Sequence, residues 1–180
     1  MVRFRETSVA NAAAQALLTE YFGSRELSFP AAQGRYRPAF PAPEQFAPPL
    51  GVFLVVEGDG RNGEPADVGC GGIRRLETAV GSPVRFEVKH LWLQPHTRGL
   101  GCGRALLQEL ERRAVGFGAQ ELVLDTNDSL IAAGGLYRSS GFIAIAPYND
   151  NPNATTWYAK VLTGVSPGST AGAGWAAEAS

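Results

Sequence analysis

The stretch Gln94-Pro95-His96-Thr97-Arg98-Gly99-Leu100-Gly101-Cys102-Gly103-Arg104 decides how this chain folds. Just before it, residues 86–93 (FEVKHLWL) combine β-branched, aromatic and aliphatic side chains and predict a strand. Just after it, Leu106, Leu107, Leu110, Ala114 and Phe117 recur at helical spacing, which predicts an amphipathic helix over about 103–117. A strand closed by Pro95, then an arginine, then alternating glycines opening a helix is a layout for holding a phosphate. The first amides of a helix have no internal partner and lie at the positive end of its dipole, and glycines let a bulky anion approach the main chain. Arg98 adds a charge-assisted contact. Gly99, Gly101 and Gly103 alternate, whereas the dinucleotide fingerprint places its third glycine one position later. No Gly-Lys-Ser/Thr follows, so a Walker loop is excluded as well.

Downstream, residues 121–125 (ELVLD) predict a short buried strand, and Asn127 or Asp128 caps a helix that reaches about Ser139 and is closed by Gly141. Gly134 and Gly135 inside that helix cost about 1 kcal/mol each relative to alanine, and close packing against a neighbour is the ordinary reason for such a pair. Residues 142–146 and 155–162 (TTWYAKVL) predict two further strands around a turn at 149–153. Upstream, residues 51–57 (GVFLVVE) and 67–76 (DVGCGGIRRL) predict a hairpin, whose second arm carries enough glycine for a bulge or a close backbone approach. Residues 24–50 contain six prolines and predict an irregular segment, yet Phe29, Tyr36, Phe40 and Phe46 make it an ordered pocket wall rather than a linker. Ser8 or Asn11 caps a first helix through 12–18 that ends near Phe22-Gly23, and residues 3–6 form an opening strand. The order is β-α-β-β-β-α-β-α-β-β, an α/β mixed sheet with helices on both faces, and the helix after the glycine loop joins two parallel strands.

The 180 residues fit a single domain, 1–162, followed by a flexible Gly/Ser/Ala-rich tail, 163–180, in which Trp175 has no assigned place. A net charge of −1 gives no pull toward nucleic acid or an anionic membrane, and no apolar run is long enough to span a bilayer. The N-terminal residues lack a secretion-signal pattern. Cys70 and Cys102 are far apart with no His or Cys at ligand spacing, so neither a disulfide framework nor a metal site is expected, and reduced thiols fit a cytoplasmic location.

Arg98-Gly99-Leu100-Gly101-Cys102-Gly103 resembles the (Gln/Arg)-x-x-Gly-x-(Gly/Ala) signature of the GNAT superfamily of acetyl-CoA-dependent N-acetyltransferases. Residues 87–95 look like that family's fourth strand. Asp125-Thr126-Asn127, with Leu136-Tyr137 and Gly141-Phe142, resembles its third conserved segment. Tyr148-Asn149-Asp150-Asn151-Pro152 with Trp157-Tyr158 and Lys160 is similar to segments of uncharacterised bacterial members. The resemblance implies that the CoA diphosphate lies on amides of Gly99, Leu100, Gly101, Cys102, Gly103 and Arg104. It implies that the pantetheine arm pairs with the backbone of Leu91, Trp92 and Leu93 where that strand parts from its neighbour. It also implies that Asn127 hydrogen-bonds the cofactor arm and that Tyr137 protonates the departing thiolate.

Direct transfer of an acetyl group from acetyl-CoA to an amine makes three demands: a base for the amine, donors for the oxyanion and a proton for the thiolate. Glu87 is the base candidate, directly or through water, with pairing to Lys89 or Arg85 as its ordinary alternative. Tyr137 is the acid, and a backbone N–H of Leu91 or Leu93 polarises the carbonyl. In an ideal strand His90 points away from the Glu87 face, and His96 sits at the loop edge. Arg25, Arg35, Tyr36 and Arg37 are candidates for holding the acceptor, a primary amine of a small molecule or peptide. A non-catalytic acyl-CoA-sensing domain is the competing reading, and an exposed edge strand would allow a homodimer.

Overall fold

The computed structural model describes residues 2–162. The segment read as a tail, 163–180 with Trp175, lies outside the described residues. Among the described residues the chain runs β1 (Arg3–Glu6), α1 (Ala12–Ser28), β2 (Gly51–Asp59), β3 (Pro65–Arg75), β4 (Arg85–Leu93), α2 (Cys102–Gly116), β5 (Glu121–Thr126), α3 (Ile131–Ser139), β6 (Ile143–Ile145) and β7 (Thr156–Val161). The strands form one seven-stranded sheet in the order β1-β2-β3-β4-β5-β7-β6. Every pairing is antiparallel except β4 with β5, which α2 joins as a crossover. No helix among the described residues is long and apolar enough to cross a membrane.

Strand β2 shows why the sheet carries helices on both faces. Val52, Leu54 and Val56 enter one core, with Leu106 and Leu110 of α2 and Tyr137 of α3. The intervening Phe53 and Val55 enter the other, with Leu17, Leu18 and Phe22 of α1. A strand buried on both sides needs a continuous apolar run, and residues 52–56 supply one. Helix α1 places Ala14, Leu17, Leu18 and Phe22 on its buried face, and Asn11 caps it by accepting the Ala13 amide.

Three local expectations fail for physical reasons. Helix α1 passes through Gly23 and ends only at Ser28, where Phe29 is extended ahead of Pro30. A single glycine costs only about 1 kcal/mol relative to alanine, too little by itself to stop a helix. Helix α3 starts at Ile131 without a side-chain cap, because Asn127 turns its carbonyl oxygen to the Ser129 amide instead. Close packing does not explain Gly134 and Gly135: a Cβ on Gly135 would meet nothing within 4 Å, and one on Gly134 only the movable guanidinium of Arg138. Gly135→Ala is therefore expected to stabilise the protein by about 0.5–1 kcal/mol, read as a small rise in Tm.

Gly72, by contrast, is required by space. A Cβ there would lie 2.7 Å from the Phe46 ring, so the glycine lets the long segment pack an aromatic side chain against β3. That segment is not wholly irregular: Ala31–Gln33 and Pro43–Phe46 each make one short 3₁₀ turn.

Candidate active site

Strands β4 and β5 pair only at Arg85–Glu121, Phe86–Leu122 and Glu87–Val123. Beyond Glu87 they part, and the edge of β4 facing β5 has no strand partner. On its other edge β4 carries a bulge: two of its residues, His90 and Leu91, lie opposite the single Gly71 of β3, and His90 adopts φ +56°. The opening is a cleft of about 1120 Å³, bounded by α1, the 29–50 segment, β4, the glycine loop and α3.

At one end Gly99 and Gly101 take φ of +77° and +82°, a conformation that favours glycine, and Gly101 caps α2 with no side-chain hydrogen bond. The first amides of α2, from Cys102 to Arg104, thus have no partner within the helix. Arg98, Gly99, Gly101, Gly103 and Arg104 line this end together with Leu91, Trp92 and Leu93. Arg98 Nε donates to the Leu93 carbonyl at 3.0 Å, and its guanidinium sits 4.6 Å from the Trp92 ring centre. Arg104 reaches across to α3, donating to Ser139 O at 3.2 Å and to Ser139 Oγ at 2.9 Å. Leu100 is exposed and Cys102 is buried, and the side chains of neither line the cleft.

Tyr137 lines the cleft from α3. Its ring packs 6.1 Å from both Phe142 and Tyr158, while its hydroxyl makes no hydrogen bond to a described residue. Burial pushes the phenol pKa up, so Tyr137 keeps its proton throughout the neutral range. Asn127 also lines the cleft, and its side chain has protein partners there. Its amide donates to Gln33 Oε1 at 2.6 Å and to the Asn153 carbonyl at 3.1 Å, so both N–H groups hold protein. Asn153 in turn accepts the Arg37 amide at 2.9 Å and donates to the Arg37 carbonyl at 2.7 Å. These bonds fasten the 29–50 segment across the cleft.

Where the strands part, a charged cluster fills the apex. Glu87 is fully buried and does not line the cleft. Its oxygens receive Arg74 Nε at 2.8 Å, Lys89 Nζ at 3.0 Å and the Tyr148 hydroxyl at 2.9 Å; Arg85, the other partner considered for it, pairs with Glu121. Lys89 also bridges the gap to both Asp125 oxygens at 2.9 Å, and Asn149 donates to Asp125 at 2.7 Å. Burial opposes the Lys89 charge, but Glu87 and Asp125 outweigh it and hold the ammonium pKa above its usual value. Burial likewise opposes charge on Asp125, and Lys89 outweighs it to hold that pKa low.

The far end is aromatic. Here the bulge overrides strand alternation: His90 lies on the Glu87 side of the sheet, not opposite it, with ring centres 5.6 Å from Tyr21, 5.6 Å from Phe22 and 5.8 Å from Phe46. Burial first, then Lys89 and Arg74, lower its pKa to about 3, so the imidazole is neutral at pH 7. Tyr36 and Arg37 line this end, while Arg35 is exposed and stays outside it. His96 bonds the Asp59 carbonyl at 3.1 Å and is likewise off the cleft.

The model of the acetyltransferase (GNAT) family matches residues 11–142, which hold the glycine loop, the parting strands and Tyr137 together. The chain belongs to the GNAT acetyltransferase family. An uncharacterised N-acetyltransferase of Schizosaccharomyces pombe is 32% identical over 117 residues, covering 65% of this chain and 67% of that protein, so the likeness is not confined to bacteria. A GNAT acetyltransferase structure from Staphylococcus aureus superposes with a TM-score of 0.67 at 17% identity, over 89% of this chain and 99% of that one. One from Elizabethkingia anophelis, solved with acetyl-CoA bound, has a TM-score of 0.57 at 16% identity, over 89% and 98% of the two chains. At those identities the structures establish the fold.

Within this GNAT acyltransferase, sequence reading missed Arg74 of the apex cluster and Tyr21 of α1. Asp125, Tyr148, Asn149 and Trp157 stand out in the sequence only through the family resemblance. Trp157 Nε1 donates to Asn149 Oδ1 at 2.8 Å, which fixes the amide that holds Asp125.

Proposed function

We propose that the protein transfers an acetyl group from acetyl-CoA to a primary amine by direct attack in a ternary complex. The observation that carries this is the parting of β4 from β5 between the uncapped amides of α2 and the unpartnered Tyr137 hydroxyl. The diphosphate rests on amides from Gly99 to Arg104, with the terminal nitrogens of Arg98 adding charge. The pantetheine arm pairs with the free edge of β4 at Leu91, Trp92 and Leu93, which puts the thioester beside the apex cluster. A Leu91 or Leu93 N–H polarises its carbonyl. The amine nitrogen bonds to the carbonyl carbon, the carbon–sulfur bond breaks, and the sulfur takes the Tyr137 proton.

The ammonium proton leaves through water in the cleft before attack, and the second proton that the nitrogen sheds on becoming an amide returns through water to the Tyr137 phenolate. Glu87 is enclosed behind Arg74, Lys89 and Tyr148, so its part in the reaction is to fix the apex rather than to meet the amine directly. Tyr36 and Arg37 belong to the acceptor side; Asn127 acts by tying the 29–50 segment down.

Calorimetric titration with acetyl-CoA tests the reading. One saturable site is expected, weakened when Gly101 is replaced by valine, whose Cβ does not tolerate φ +82°. A flat titration at millimolar ligand would overturn it.

A further inference from the structure

The cleft concentrates positive charge in a chain whose net charge is −1. Arg74 and Lys89 are neutralised by Glu87 and Asp125. Among the described residues, Arg25, Arg37, Arg98 and Arg104 make no salt bridge, and the last two belong to the glycine-loop end. Arg25 and Arg37 stand instead at the aromatic end, where no phosphate of the donor is placed.

Arg25 is the sharper of the two. It lies in the last turn of α1, half-buried, with its guanidinium carbon 5.7 Å from the centre of the Tyr21 ring. Its Nε is enclosed and has no hydrogen-bond partner. An enclosed N–H without an acceptor is costly, and that cost falls once an anion docks against the guanidinium. Tyr21, Arg25 and Tyr36 line the same cleft as Tyr137, so an anion held there shares that space with the reacting atoms. Around it Phe22 lies 4.5 Å from Phe40 and 5.6 Å from His90, giving an apolar wall of ring faces and edges. The imidazole, neutral at pH 7, adds no charge to that wall.

We propose that the acceptor is an aromatic amino acid, with its ring against Phe22, Phe46 and His90, its carboxylate on Arg25 and its free amine turned toward Tyr137. This rests on the acetyl-transfer reading. A polyamine would bring cations to Arg25 and Arg37, and the N-terminus of a long peptide would leave Arg25 unpaired; both are disfavoured by the same charge.

The test measures CoA release with phenylalanine, tyrosine and tryptophan against phenylalaninamide, phenethylamine, tryptamine and spermidine, after calorimetry has established acetyl-CoA binding. The free acids are expected to exceed their amide and decarboxylated counterparts by about tenfold or more in kcat/KM, with spermidine poorest. Arg25→Gln should collapse that ratio toward one, through KM for the acids, and Arg25→Lys should restore part of it. Amides or decarboxylated amines that match the acids, no turnover of any aromatic acid, or an Arg25→Gln enzyme that keeps the ratio would each overturn the proposal. With acetyl-CoA binding intact, those results leave the acetyl-transfer reading standing; absence of acetyl-CoA binding removes both.

Discussion

Tyr137→Phe is expected to lower kcat by roughly 10²-fold, the scale of one well-placed general acid, while the affinity for acetyl-CoA and the Tm stay unchanged. The separation follows from how the residue is held. The ring is fixed by Phe142 and Tyr158, which phenylalanine preserves, and the hydroxyl bonds to no described residue, so its loss leaves no buried group unsatisfied. Only the thiolate would notice. Burial keeps the phenol protonated, so the proton is present whenever CoA–S⁻ departs. Single-turnover kinetics with saturating acetyl-CoA give the direct measurement. Equal turnover in the two proteins would take Tyr137 out of the mechanism.

The fold was legible where a period changes cleanly. Residues 86–93 read as a strand, 106–117 as a helix face, and the glycines between them have one sensible job; the crossover and the parallel β4–β5 pair follow from that alone. The continuous apolar run of β2 was equally plain. The site was less so, because its chemistry joins residues far apart in sequence. Arg74 lies 13 positions from Glu87 and Tyr148 lies 61 away, and no local pattern announces that the three meet. His90 was placed on the wrong face because a bulge shifts side-chain alternation by one residue, and nothing in FEVKHLWL marks where it falls. The tie from Asn127 to Gln33 spans 94 positions and closes a segment that composition alone described only as aromatic and rich in proline.

Glu87→Gln is expected to lower stability by about 3–5 kcal/mol, the usual consequence of removing one member of a buried ionic group, with a drop in Tm on the order of 10 °C. The side chain at this position is wholly enclosed, and Lys89 beside it is only 17% exposed. With the carboxylate gone, Arg74 keeps its charge but loses that partner, and Lys89 has Asp125 alone. The new amide also brings two donors to a place where Arg74, Lys89, Tyr148 and Asn149 already point donors inward. A glutamate acting only as a proton acceptor would behave oppositely, since its amide would abolish turnover while the melting curve stayed where it was. Adding Arg74→Met to Glu87→Gln separates the two roles further. If Glu87 serves to neutralise the apex, removing the stranded guanidinium should recover a measurable part of the lost stability in a double-mutant cycle. Turnover should recover with it, because the parted strands that hold the thioester would again be pinned. Stability that is unaffected by Glu87→Gln, together with loss of turnover, would return Glu87 to the role of base.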